Sequence, residues 1–200
     1  RSKRAGSSVF WNVRCRKPAR GRRLVFVDEM GTHTSLAPSY GYSPRGQRAF
    51  FKIPRNRGTN TTLLSSMSLE GMGPSMAIEG STTKEVFEAY IEHFLAPTLR
   101  AGKVVVMDNL SAHKGQRVRK LIEDRGCELL YLPPYSPDLN PIEEAFSKVK
   151  RLLRVIGART KEALVEAIGK ALDAVGARNA RGFFTRCGYS GWSNNHEKTL

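Results

Sequence analysis

Val104-Val105-Val106-Met107-Asp108-Asn109 and Pro133-Pro134-Tyr135-Ser136-Pro137-Asp138-Leu139-Asn140-Pro141-Ile142-Glu143 decide how this 200-residue chain is read. The first is an apolar run closed by a carboxylate, the pattern of a buried strand. The second is a proline-stiffened loop that delivers another carboxylate onto the first turn of a helix. Between Asp108 and Glu143 lie 34 residues. A third acid, Asp28, closes a similar run, Leu24-Val25-Phe26-Val27. Sites in sheets covered by helices form at the carboxyl ends of strands. If the two runs are parallel neighbours, Asp28 and Asp108 meet at one edge.

Working outward, residues 47–53 and 60–69 read as two more strands joined by a turn at Arg55-Asn56-Arg57-Gly58, and 72–79 as a further one. Short connections favour antiparallel pairing here. Thr82 with Glu85 three residues on has the form of a capping box. Val86, Phe87, Tyr90, Ile91, Phe94 and Leu95 then recur at helical spacing, and Pro97 ends the run. A helix over 114–125, a strand over 127–132 and a helix over 141–156 follow, and Thr160 caps another helix. The stretch 178–200 is weakly patterned. Strands first, then helix-linked strands, predict an α/β fold with a mixed sheet flanked by α-helices. The expected division is a basic arm over 1–23, one catalytic domain over 24–190 and a loose tail over 191–200.

Lys and Arg number 33 against 18 Asp and Glu, a net charge of +15, which points to a polyanionic partner such as nucleic acid. Nine of these cations fall in residues 1–23, which hold no acid. No apolar run approaches the roughly 18 residues of a membrane span, so no membrane partner is expected. The three cysteines, Cys15, Cys127 and Cys187, are far apart and odd in number. That argues against a disulfide framework or zinc ribbon and for a reducing cytoplasm.

The chemistry follows from the acids. Magnesium takes oxygen ligands, commonly one or two carboxylates completed by water and phosphate oxygens. Two such ions about 3.5–4 Å apart clamp the attacking and leaving oxygens of a phosphodiester. Asp28, Asp108 and Glu143 are therefore expected to hold divalent metal and cut DNA. Each has a plainer reading: a strand-end turn for Asp28, an Asx turn for Asp108, and the capping-box position for Glu143, with Asn140 at the N-cap. Glu29 and Glu144 neighbour the set, but strand alternation and the 100° helical step turn them elsewhere. Asp138 reads as a turn-former, and Glu144 as structural.

Asp108-Asn109-Leu110-Ser111-Ala112-His113, the Pro134-to-Glu143 stretch and Val27-Asp28-Glu29 resemble, in that order, the second, third and first acid motifs of DDE transposases of the mariner superfamily. The 34-residue spacing is similar to that of the bacterial insertion-sequence branch and its eukaryotic relatives. The resemblance implies a ribonuclease-H-like fold and cut-and-paste transposition that depends on Mg2+, with two ions and Mn2+ as a substitute. It implies DNA partners (terminal inverted repeats and target), a homodimer, and a bacterial cytoplasm near the nucleoid. It places Asn109 and His113 near the site. Family members carry a helix-turn-helix reader ahead of the catalytic domain, and 23 unpatterned residues here lead to the expectation of a catalytic half. The alternatives are a truncated DNA-binding relic or another ribonuclease-H-like nuclease.

Candidate phosphate contacts are Arg45, Arg48, Lys52, Arg55 and Arg57, then Lys148, Lys150, Arg151 and Arg154 on the Glu143 helix. The helix cations form two adjacent ridges opposite the apolar stripe of Ile142, Phe146, Val149 and Leu153. Tyr40 and Tyr42 are expected to pack into turns rather than to stack on bases.

Overall fold

The computed structural model describes residues 23–38, 40–50, 58–109 and 115–189. The basic arm up to residue 22, the segment 51–57 with Lys52, Arg55 and Arg57, the segment 110–114 with His113, and everything beyond 189 lie outside the described residues.

Five strands form one sheet: β1 (Leu24–Thr32), β2 (Thr61–Ser68), β3 (Gly71–Glu79), β4 (Val104–Met107) and β5 (Glu128–Tyr131), in the order β3-β2-β1-β4-β5. The meander β1-β2-β3 is antiparallel, while β4 joins β1 and β5 joins β4 in parallel. The helices are α1 (Lys84–Tyr90), α2 (Gln116–Glu123), α3 (Pro141–Ile156), α4 (Lys161–Asp173) and α5 (Ala177–Arg186). The mixed sheet with flanking helices is the architecture that the strand order predicts.

Side-chain alternation sorts the two faces. Leu24, Phe26, Met30, Val104, Val106 and Leu130 point to the side covered by α3, α4 and α5. Val25, Val27, Val105, Met107 and Leu129 point to the side covered by α1 and α2. Both faces of the central strands are buried, which is why β4 is apolar throughout rather than alternating. Helix α3 runs over the bounds expected for it, from Pro141 at N1 to Gly157, whose left-handed backbone (φ 65°) closes the last turn with a bond from its N–H to the Leu153 carbonyl. Thr160 caps α4 as expected, its hydroxyl accepting the Ala163 N–H.

Several expectations are corrected. Residues 47–50 form no strand and are exposed, Phe50 at 88%; the remainder of that expected strand lies outside the described residues. The cap of α1 is Thr83, one residue later than expected, with its hydroxyl accepting the Val86 N–H. The helix then widens into a π turn over Ile91–Leu95 and a 3₁₀ turn over Ala96–Thr98. This change of pitch breaks the apolar face, so Leu95 is buried while Phe94 is 41% exposed. Of the weakly patterned stretch 178–200, residues 190–200 lie outside the described residues, and 178–186 belong to α5. Its Phe184 meets Phe26 edge-on (5.3 Å between ring centroids), and Tyr189 packs on both rings (5.2 and 5.9 Å). At the opposite edge, Gly71 (φ 122°) lets β3 pair with Gly176, and a Cβ there would lie 2.8 Å from the Val175 carbonyl.

Two outcomes follow from this packing. Phe184 is fully buried, so Phe184→Ala should lower the unfolding free energy by about 3–5 kcal/mol, against about 0.5 kcal/mol or less for Val165→Ala on the surface. Denaturant titration decides, and equal losses would contradict the assigned core. Burial first, and the Glu144 charge second, push the Cys187 thiol up to about 11. Folding thus favours the protonated thiol, and that contribution, complete below the free thiol's pKa of about 8.5, is lost as pH rises through the folded value. Stability should fall across that window, and Cys187→Ala should flatten the fall; identical pH slopes would contradict it.

Candidate active site

The pairing of β1 with β4 sets the geometry. Val27 stands opposite Met107 where the parallel β1–β4 pairing ends, so Asp28 and Asp108 each follow a paired residue; Asp108 lies just past the end of β4, whereas β1 runs on to Thr32 and holds Asp28 in its middle, opposite Ser65 of β2, which corrects the reading of Asp28 as a strand-end turn. Both share the parity of Phe26 and Val106 and therefore the face covered by α3. Helix α3 starts at that edge and carries Glu143 in its first turn. The three acids line one cavity of about 500 Å³, together with Asn109, Asn140 and the Pro133–Pro137 segment.

The acids differ in exposure. Asp28 is 6% exposed, Asp108 is half-buried and Glu143 is exposed. Asp28 Oδ1 accepts the Glu29 N–H at 2.7 Å, and Oδ2 accepts the Asn140 side-chain amide at 2.8 Å. Asn140, 4% exposed, occupies the N-cap position of α3 yet makes no side-chain cap bond. The capping reading of Asn140 is thus corrected: its side chain serves Asp28 rather than the helix end. Glu143 donates its own N–H to the Asn140 carbonyl at 3.2 Å.

The neighbouring acids lie elsewhere. Glu29 turns toward the opposite face, where its Oε2 is buried with no hydrogen-bond partner among the described residues; nothing in the structure explains this. Glu144 reaches Arg186 on α5 at 3.7 Å, an ion pair that ties α3 to α5. Asp138 lies in a 3₁₀ turn over Pro137–Leu139. Tyr135, on the cavity wall, is fully exposed and is the non-glycine residue with positive φ (56°) among the described residues. Neither Tyr135 nor the amide role of Asn140 is visible in the sequence pattern, because Asn before Pro at a helix start reads first as a cap.

Among the described residues, no group of three or more His, Cys, Asp and Glu side chains stands close enough together to hold a metal ion. The cavity instead offers hard oxygen donors on an open wall. That donor set fits Mg2+ or Mn2+, which complete their shells with water and phosphate oxygens, and it does not fit a soft metal.

The basic residues divide. Lys148 donates to the Ala174 carbonyl at the end of α4 and to Asn179 Oδ1 on α5 at 2.9 Å. Its ammonium is spent inside the fold, which corrects its place among the phosphate contacts. Lys150 and Arg154 are half-buried and Arg151 is exposed, with no ion pair to any of them among the described residues. Arg45 and Arg48 are exposed on the loop after β1, as are Tyr40 (88%) and Tyr42 (102%), so the two tyrosines do not pack into turns. The base of that loop is pinned by Arg159, which donates to the Thr34 and Leu36 carbonyls, both at 2.9 Å.

Together these features define an α/β domain with an acid-lined cavity at the carboxyl end of β4, beside the middle of β1. The chain belongs to the DDE superfamily endonuclease family, which matches residues 23–165. It is 31% identical over 138 residues to the transposable element Tcb1 transposase of Caenorhabditis briggsae, covering 66% of this chain and 50% of that one. It is 28% identical over 138 residues to the Tc1 transposase of Caenorhabditis elegans, covering 67% and 50%. The chain thus spans about half the length of these relatives. Its fold is similar to that of Mos1 transposase in a paired-end complex with the left transposon end, at a TM-score of 0.71 and 19% identity over 90% of this chain and 56% of that one. The isolated Mos1 catalytic domain gives 0.62 at 18%, covering 91% and 85%. The fold is the ribonuclease-H-like one.

Lys148→Met should lower the unfolding free energy by about 1–2 kcal/mol and leave DNA affinity nearly unchanged. Urea unfolding beside DNA titration tests this, and weakened DNA binding at unchanged stability would contradict it.

Proposed function

We propose that this chain is the catalytic domain of a DNA transposase that hydrolyses phosphodiesters at transposon ends and joins the freed 3′-hydroxyl to target DNA. The observation that carries the reading is the in-register pairing of β1 with β4 up to Val27 and Met107, past which Asp28 and Asp108 share one cavity with Glu143. Family membership and the transposases among its relatives support it. In cleavage, a water oxygen bonds to phosphorus as the bond to the 3′-oxygen breaks. In joining, the 3′-oxygen gives up its proton and bonds to a target phosphorus, releasing a target 3′-hydroxyl.

Asp28, Asp108 and Glu143 would hold two divalent ions, Mg2+ or Mn2+. When bound, such ions supply charge neutralisation at the reacting phosphate. The protein's own part is positional. Buried Asp28 is fixed by hydrogen bonds, the proline loop walls the cavity, and Lys150, Arg151 and Arg154 on α3, with Arg45 and Arg48 on the loop after β1, face the DNA backbone. Asn109, on the cavity wall, orients the reacting groups. Mos1 transposase, whose fold this chain shares, has been solved in paired-end complexes with Mn and with Mg, which supports the choice of ion. The 34-residue spacing fits the bacterial insertion-sequence branch and its eukaryotic relatives alike; the proposal places the chain in the bacterial branch, and so in a bacterial cytoplasm. A homodimer that pairs two transposon ends completes the proposal.

Purified chain should nick supercoiled plasmid in Mg2+ or Mn2+, and Asp108→Ala should reduce nicking to background. Nicking that survives Asp108→Ala, or that needs no metal, would contradict the proposal. DNA affinity should fall steeply with salt, and Arg151→Ala should reduce the log–log salt slope by about 1. An unchanged slope would remove Arg151 from the interface.

A further inference from the structure

We infer that Asn140 is the positioning residue of the acid centre: its side-chain amide locks Asp28 to the start of α3, so that Asp28 and Glu143 are presented to a divalent cation in one fixed relation. This rests on the metal-centre reading above.

Asn at an N-cap ordinarily turns its side-chain oxygen toward the N–H groups of the first turn. Asn140 stands at that position and makes no such bond. Its amide crosses to Asp28 Oδ2 at 2.8 Å, a contact between residues 112 apart in sequence and both more than nine-tenths buried. The Glu29 N–H holds the other carboxylate oxygen at 2.7 Å. A donor on each oxygen fixes both the rotamer and the plane of the carboxylate.

The same residue also governs Glu143. The Asn140 carbonyl accepts the Glu143 N–H at 3.2 Å, and Pro141 fixes the backbone between them. Behind the clamp, the Tyr189 hydroxyl donates to the Leu139 carbonyl at 2.7 Å, and the Tyr189 ring packs on Phe26, two residues before Asp28 on the same face. Asn140 therefore joins a strand end and a helix start that share no covalent proximity, and it is backed by packed aromatic rings. A cation that demands near-ideal octahedral geometry tolerates little play between its ligands.

A merely structural Asn140 would affect stability and leave metal affinity alone, so the test measures both. The 200-residue chain as wild type, Asn140→Ala and Asn140→Ser is titrated with Mn2+, read as free Mn2+ by electron paramagnetic resonance, and each is melted without metal. Serine retains a good N-cap but is too short to hold Asp28. The expected result is folded variants whose Kd for Mn2+ rises about 10–100-fold, with plasmid nicking restored as Mn2+ is raised. Folded variants that bind Mn2+ as the wild type does would overturn the inference, as would variants that both fail to fold. A wild type that binds no Mn2+ would overturn the metal-centre reading, and this inference with it. A wild type that binds and an Asn140→Ser that binds equally would overturn this inference alone.

Discussion

The structure depends on one pairing, β1 against β4 in parallel and in register. A slip of one residue would send every side chain of β4 to the other face. Asp108 would then turn toward α1 and α2 while Asp28 still faced α3. The paired strands are buried on both sides: Leu24, Phe26, Val104 and Val106 fill one core, and Val25, Val27, Val105 and Met107 the other. The position of the two aspartates is therefore a consequence of the hydrophobic effect rather than of any attraction between them.

Helix α3 then supplies what the sheet cannot. Its apolar residues Ile142, Phe146, Val149 and Leu153 lie against the face that carries Asp28 and Asp108, which orients the helix and brings its first turn to the strand ends. Its middle is held by Lys148, bonded to the end of α4 and to α5. Lys150, Arg151 and Arg154 follow Glu143 on the same helix, so the acid and these three cations belong to one rigid element.

Much of this was legible in the sequence. The short apolar runs ending in Asp gave β1 and β4, because parallel strands buried on both faces must be apolar throughout. Pro141 and Gly157 bounded α3 because each has a strong backbone preference at a helix end. Thr160 was readable as a cap for the same local reason. The misses have a common cause in tertiary context. Residues 47–53 have an apolar run, but an apolar run makes a strand only with a partner, and 47–50 have none. Helix α5, Arg-rich and short, draws its stability from Phe183 and Phe184 entering the core. The π turn after α1 is a packing adjustment with no local signature. Asn140 obeys the helix-start pattern while its side chain answers to a carboxylate more than a hundred residues away. The fold was thus readable from periodicity and punctuation, and so was the meeting of Asp28, Asp108 and Glu143 in one cavity. The clamp between them was not, since it depends on contacts that only the folded chain creates.

The most direct measurement is the anomalous scattering of Mn2+ in crystals of the chain soaked with that ion. The expected map has its Mn2+ density in the cavity bounded by Asp28, Asp108 and Glu143, and that density is lost in Asp28→Ala. Manganese bound elsewhere, or bound there unchanged without Asp28, would contradict the assignment of these three acids as one metal centre.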